Sequence, residues 1–301
     1  MINGIINIYK EKGFTSHDVV AKLRGALKQK KIGHTGTLDP DATGVLPVCL
    51  GNATKLCDMF TDKTKTYVCT MLLGIETDTE DIGGKIIKER DIKDFNFTKD
   101  LVKEKIMSFV GEYNQIPPMY SAIKLNGKKL YDLARQGMVV ERKPRSIVIF
   151  HVNITEISLP QVTFEVTCSK GTYIRSLCRD IGSSLGCGAC MKELVRTKSG
   201  QFTIENSLKL SEVEKYIKEG TISDYIISTE DALKIFGSIY TFGQGDKLLQ
   251  NGNAIPEEYI KIVEQGKDEK NLLFKTYDSN NNFIGLYRKE ENRFVNEKMF
   301  L

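Results

Sequence analysis

The sequence predicts an α+β chain with a second, smaller β-rich region at its C-terminal end. Candidate strands and helices mix without the regular strand–helix–strand rhythm of a doubly wound parallel sheet. Several strand candidates alternate apolar and polar residues with period two, which marks half-buried strands. From about Ser228 the texture changes. A short helical stretch, Glu230 to Ile235, is followed by about 65 residues of short β-like runs broken by Gly and Asn. At 301 residues, 41% hydrophobic and 27% charged, the chain can bury a sizeable core without disulfide staples. Apolar residues spread along the whole chain exclude disorder as the main state.

The elements follow in order. Gly4 to Tyr9 reads as a first strand. Thr15 and Ser16 are capping residues for a helix with Val19, Val20, Leu23 and Leu27 on one face. Gly33 to Gly44 is a turn-rich loop with three glycines and Pro40. Lys65 to Leu73 is a strand, Glu76 to Asp81 an acidic turn, and Gly84 to Lys88 another strand. Thr98 opens a helix carrying Leu101, Val102, Ile106, Phe109 and Val110. The two prolines of Ile116-Pro117-Pro118-Met119-Tyr120 exclude regular helix. A short helix over Lys129 to Gln136 stops at Gly137. Val148, Phe150, Val152 and Ile154 are expected on one strand face, and Val162, Phe164, Val166 and Cys168 on the next. A helix from about Tyr173 to Leu185, a glycine–cysteine turn and a strand to about Phe202 follow. Asn251-Gly252 and Asn280 to Asn282 are turn signals.

Charge is concentrated. Between Ser121 and Arg145 there are seven cations, Lys124, Lys128, Lys129, Arg135, Arg142, Lys143 and Arg145, against Asp132 and Glu141. That local +5 exceeds the +4 of the whole chain. Such a patch is the footprint of a polyanion partner or a solvated lysine-rich face. No apolar run approaches the roughly 20 residues of a membrane-spanning helix. The first ten residues lack a basic region followed by an apolar core, so no secretory signal is expected. Seven scattered cysteines then read as reduced thiols in a cytoplasmic protein.

Several cofactor motifs are missing. No Gly-Lys pair is followed by Ser or Thr, so there is no Walker-type phosphate loop. Gly243-Gln244-Gly245 lacks a third glycine. Asp39 to Gly44 begins like a calcium loop, but Leu50 stands where a bidentate Glu is required. Cys187 and Cys190 form a lone pair, short of the four ligands of a structural zinc site. The three histidines, 17, 34 and 151, have no metal-ligand spacing. No metal and no cofactor are therefore expected. The glycine-framed loop around Asp39 either presents a carboxylate to a substrate or uses it to satisfy turn amides.

The run Gly33-His34-Thr35-Gly36-Thr37-Leu38-Asp39-Pro40-Asp41-Ala42-Thr43-Gly44 resembles the catalytic loop of the TruB family of tRNA pseudouridine synthases. Four further stretches match the family in order and spacing: Lys65-Thr66-Tyr67, Thr77-Asp78-Thr79, the segment from Pro118 to Gly137, and Cys168 to Leu177 with Leu185 to Ala189. The match spans about residues 3 to 205. The C-terminal stretch resembles a PUA-type RNA-binding domain more loosely.

The resemblance implies a pseudouridine-synthase fold: a central mixed, largely antiparallel sheet flanked by helices, plus a small C-terminal β-rich PUA-like domain. It implies a catalytic domain over 1–230 with an RNA-gripping insertion at about 112–146, and a PUA-like domain over 231–301. The implied activity is isomerisation of uridine to pseudouridine at position 55 in the TΨC loop of tRNA. On that resemblance Asp39 would be the catalytic carboxylate. Arg175 is its partner, expected to keep it ionised. By the same resemblance Tyr67 is expected to stack on the uracil near the departing C5 proton, Tyr173 and Leu194 to line the uridine pocket, and His34 to contact the displaced loop. The cations between Lys124 and Arg145 grip the TΨC arm, with Tyr120 and Tyr131 interleaved among them. Asp41, a second acid beside Asp39, raises its pKa if both point inward. The expected protein is a monomer with no obligatory protein partner. Two alternatives stand beside this reading: a non-catalytic tRNA-binding or tRNA-folding protein, and a pseudouridine synthase acting on another RNA.

Overall fold

A computed structural model of the chain describes residues 1–61, 63–125, 127–266 and 272–301. The first strand, β1 (Gly4–Lys10), leads into α1 (Ser16–Ala26). Thr15 caps α1 in a reciprocal box with Asp18, as its sequence position predicts. Next come β2 (Ile32–His34), β3 (Thr43–Leu50), α2 (Cys57–Thr61), β4 (Lys65–Leu73) and the hairpin β5 (Ile75–Thr77) and β6 (Ile86–Glu89). Helix α3 (Lys99–Met107) is capped by Thr98. It ends before Phe109 and Val110, which the sequence placed on it.

Strand β7 (Gly111–Gln115) is followed by the two-residue strands β8 (Lys124–Leu125) and β9 (Lys128–Lys129), then α4 (Leu130–Arg135). The long pair β10 (Arg145–Ser158) and β11 (Gln161–Cys168) precedes α5 (Ile174–Ser184), β12 (Ala189–Ser199) and β13 (Phe202–Thr203). Helices α6 (Leu210–Glu219) and α7 (Thr229–Ala232) lead to β14 (Gly237–Thr241), α8 (Gln244–Gln250), β15 (Ile255–Pro256), β16 (Ile260–Glu264), β17 (Leu273–Tyr277), β18 (Phe283–Glu290) and β19 (Arg293–Met299). Helix α8 lies where only short strands were expected.

The main sheet has the order β1-β3-β12-β4-β11-β10-β7, with β2 paired to β3 and β13 to β12. Its β3–β12 pair is parallel and the other pairs are antiparallel, giving the mixed, largely antiparallel sheet expected. Val162, Phe164, Val166 and Cys168 all face the core beneath α5 and α3. Each of the large apolar side chains there contributes about 1.5–3 kcal/mol by leaving water.

The neighbouring strand departs from expectation. Phe150 is 51% exposed, whereas Ile147 and Ile149 are buried. The register slips between Ile149 and His151, so Phe150 is the extra residue of a β-bulge. Buried positions are odd-numbered before the bulge and include Val152 after it.

Strand β3 was not anticipated either. Its residues face two separate cores, Val45 and Cys49 on one side and Leu46, Val48 and Leu50 on the other. A strand buried on both faces shows no alternation, and Pro47 further disguises it.

The second sheet has the order β15-β19-β18-β17-β14-β16. It joins the first through a shared apolar cluster in which Leu233, Phe236, Leu286 and Phe300 pack with Ile5, Val45, Cys49 and Phe60. Among the described residues no helix is long and apolar enough to cross a membrane.

Candidate active site

The loop between β2 and β3 carries Asp39, and the first strand and helix hold that loop from below. Ser16 Oγ accepts the Leu38 N–H at 2.9 Å. The Pro40 carbonyl accepts the Gly13 N–H at 2.9 Å and Lys10 Nζ at 3.0 Å. Lys10 is fully buried and donates also to the carbonyls of Glu11 and Phe14. Burial lowers its pKa to about 8. Leu38 and Ala42 are buried in the main core on either side of Asp39. The Asp39 backbone is therefore fixed while its side chain remains 40% exposed.

At the far end of the loop, Gly44 lies opposite Arg196 in the parallel β3–β12 pair. Its φ is +103°, and a Cβ there would fall 2.2 Å from the Arg196 carbonyl oxygen, so only glycine fits. The Arg196 side chain is 1% exposed. It donates to the carbonyls of Val45 at 2.7 Å and Gly36 at 3.2 Å, tying both ends of the loop together.

Helix α5 supplies the partner of Asp39. Ile174, Leu177, Cys178 and Ile181 bury one face of it, which leaves Arg175 facing the loop. Arg175 Nε lies 2.9 Å from Asp39 Oδ2, and its Nη2 lies 3.2 Å from Oδ1, a forked pair. The same guanidinium donates to the carbonyls of Thr79 at 3.0 Å and Tyr120 at 2.9 Å. Three chain segments thus converge on one buried side chain.

The charge balance at Asp39 differs from the sequence expectation. Burial pushes its carboxyl above the ordinary value, and the pull of Arg175 opposes this without overcoming it. The acid that adds to the rise is Asp81 rather than Asp41. Asp41 is exposed, whereas Asp81 Oδ2 lies 3.7 Å from Arg175 Nη1. Asp81 is held by Thr79, whose hydroxyl donates to its Oδ1 at 2.8 Å. The same turn locks onto α5: buried Glu80 accepts from Ser176 Oγ at 2.6 Å and from Arg179.

A cleft of about 660 Å³ opens above this centre, lined by Asp39, Tyr67, Tyr173, Arg175, Leu194 and Arg196 among others. A second, of about 600 Å³, shares Asp39, Arg175 and Leu194 with it and extends along Tyr131, Arg135 and Asp81. Tyr67, Tyr173 and Leu194 thus line one cleft together with Asp39. Tyr67 stands on β4 opposite Arg196. Burial raises its pKa, with Arg196 pulling the other way. Its phenol stays protonated near neutral pH and offers an aromatic face and a hydroxyl.

His34 lines neither cleft. Its ring meets His17 edge-on at 5.4 Å, and its Nδ1 accepts the Gly36 N–H at 3.3 Å. Burial lowers its pKa, so it is neutral at physiological pH.

The basic segment is not uniform. Lys124, Lys128, Lys143 and Arg145 are exposed, and Arg145 also borders the larger cleft. Lys129 and Arg135 flank the Tyr131 ring at 5.2 and 5.4 Å, an interleaving of cation and aromatic. Arg142 is half-buried and donates to the Pro117 carbonyl at 3.0 Å, so it braces the segment from within. Among the described residues no cluster of His, Cys, Asp or Glu is placed to hold a metal.

Sequence reasoning missed Asp81 and Arg196. Asp81 was hidden in an acidic run, although the nearby Thr-Asp-Thr turn pointed to it. Nothing in a local pattern distinguishes a fully buried Arg196 from the exposed Lys198 two residues on.

The N-terminal domain model of the TruB family of pseudouridylate synthases matches residues 24–174. The C-terminal domain model of tRNA pseudouridylate synthase B matches residues 175–234. The tRNA pseudouridine synthase B of Lachnoclostridium phytofermentans is 50% identical, with both chains fully covered. That of Clostridium kluyveri is 44% identical, again over the whole of both chains. A solved Cbf5-Nop10-Gar1 complex contains a chain 27% identical at a TM-score of 0.75, covering 99% of this chain and 85% of that one. An H/ACA RNP bound to a substrate RNA containing 2′-deoxyuridine gives 25% identity and a TM-score of 0.73, with coverage of 99% and 85%.

Proposed function

The chain belongs to the TruB family of pseudouridylate synthases, and on that premise we propose that it isomerises uridine 55 in the TΨC loop of tRNA, with Asp39 as the catalytic carboxylate. The observation that carries the residue assignment is the forked Asp39–Arg175 pair at the junction of two clefts, on a loop fixed from below.

In the reaction the N1–C1′ bond breaks, the uracil turns, and C5 bonds to C1′. C5 loses a proton and N1 gains one, so atoms and electrons balance without a redox partner. Asp39 acts at the sugar, either attacking C1′ or removing the C2′ proton. Both routes need an ionised carboxylate, and the Arg175 guanidinium favours that form and fixes its direction. Tyr67 faces the uracil, where stacking is worth about 1–3 kcal/mol. Tyr173 and Leu194 wall the pocket that receives the flipped base.

The cations at 124, 128, 129, 135, 143 and 145 contact the phosphates of the arm, and Arg142 braces them. His34 serves the displaced loop rather than the uridine pocket. We assign the catalytic unit to residues 1–230, the RNA-gripping insertion to about 112–146, and the sheet within 231–301 to a PUA-like RNA-binding domain. The protein works in the cytoplasm as a monomer without an obligatory protein partner.

The test is tritium release from uridine C5 in an unmodified tRNA transcript, beside a transcript with cytidine at position 55. Release from the first alone supports the assignment. Release from both refutes the position while retaining the chemistry.

A further inference from the structure

We propose that Gln115 is a positioning residue for the reaction: it clamps the backbone of Tyr173 and so sets the start of α5, from which Tyr173 and Arg175 reach the reacting uridine. This rests on the assignment of Asp39 and Arg175 given above.

Gln115 is the last residue of β7, at the root of the basic insertion, and is 1% exposed. Both amide N–H donors and the amide oxygen are engaged. Its Oε1 accepts the Tyr173 N–H at 2.8 Å. Its Nε2 donates to the Tyr173 carbonyl at 3.0 Å and to the Tyr113 hydroxyl at 2.6 Å. Tyr173 is the N-cap residue of α5 and has no side-chain capping bond, so its amide position is set by Gln115. The Tyr173 carbonyl also receives the first helical bond, from the Leu177 N–H at 3.0 Å.

From Gln115 the chain runs as a strap over the N-terminal end of α5. Arg179 holds the Ile116 carbonyl at 3.0 Å, and Arg175 holds the Tyr120 carbonyl at 2.9 Å. Pro117 and Pro118 stiffen the strap between them. Gln115 is therefore where the insertion's position and the direction of Arg175 become one rigid arrangement. A small misplacement of such a frame costs roughly 10- to 100-fold in rate.

The experiment is single-turnover pseudouridine formation at saturating enzyme, with separate measurement of tRNA affinity and melting temperature. Gln115→Met keeps the volume and removes all three bonds. Gln115→Glu keeps the acceptor for the Tyr173 N–H and loses both donors, and it carries the test should the methionine variant fail to fold. The expected result is a rate constant reduced roughly 10- to 100-fold at a temperature where every variant is fully folded, with tRNA affinity unchanged and the melting temperature lowered by the lost buried bonds. Tyr113→Phe, which removes only the lateral contact, is expected to stay within about twofold of wild type. A wild-type rate in the Gln115 variants, a loss confined to affinity, a loss that vanishes well below the variant's melting temperature, or an equal loss in Tyr113→Phe would overturn the proposal. Asp39→Asn is measured alongside. Turnover by that variant would defeat the catalytic reading itself, whatever Gln115 does.

Discussion

Replacing Arg175 by Lys keeps the charge beside Asp39 and removes the geometry. The guanidinium now reaches Asp39, Thr79 and Tyr120 from three nitrogens. An ammonium offers its donors from a single point and can serve one of the three. Water replaces the contact at Asp39, whose side chain is 40% exposed. The ammonium then serves one of the two carbonyls, and the acceptor left without a donor costs about 1–3 kcal/mol, read by urea denaturation. Loss of the fork leaves Asp39 free to rotate, and the single-turnover rate should fall roughly 100-fold. Arg175→Met adds an electrostatic effect. The guanidinium is the largest influence holding the Asp39 carboxyl down against burial. Without it the carboxyl rises further, ionises later, and the acid limb of the rate profile moves to higher pH. A lysine variant within about twofold of the wild-type rate would refute the positioning argument.

Two further predictions concern the frame of the loop. Burial holds Lys10 near a pKa of about 8, against 10.5 when exposed. The folded state therefore binds fewer protons than the unfolded state between those values, and stability rises with pH across that window. Wild type should gain up to about 3 kcal/mol relative to Lys10→Met between pH 8 and 10.5, measured by denaturation at each pH. Gly44→Ala forces a methyl against the Arg196 carbonyl at a φ of +103°. A loss of about 2–4 kcal/mol is expected by urea denaturation, and an unchanged midpoint would refute the close approach.

The parts of this molecule that were legible in the sequence are those governed by neighbouring residues. The bounds of β4 follow from alternation that persists from Lys65 to Leu73, and α1 begins where Thr15 and Asp18 can cap each other. Motifs point to Asp39, Tyr67 and Arg175, and a loop, a strand and a helix bring them to one cleft. What escaped depends on the tertiary partner. Strand β3 looks featureless because both of its faces are covered. The bulge at Phe150 changes which face is buried without changing the local pattern. The pKa of Asp39 is raised chiefly by burial that no composition reveals, and further by Asp81, a residue 42 positions away in sequence. Arg142 reads as surface charge in the sequence, yet its guanidinium donates to the Pro117 carbonyl.

The central claim is that Asp39 performs the chemistry and does not merely shape its loop. The direct measurement is tritium release from uridine C5 of a tRNA transcript by wild type and Asp39→Asn, with tRNA affinity determined for both. Asparagine preserves the size of the side chain and removes its charge. The account predicts rapid release by wild type, none by the variant, and nearly equal affinity. Release by Asp39→Asn at the wild-type rate would contradict it.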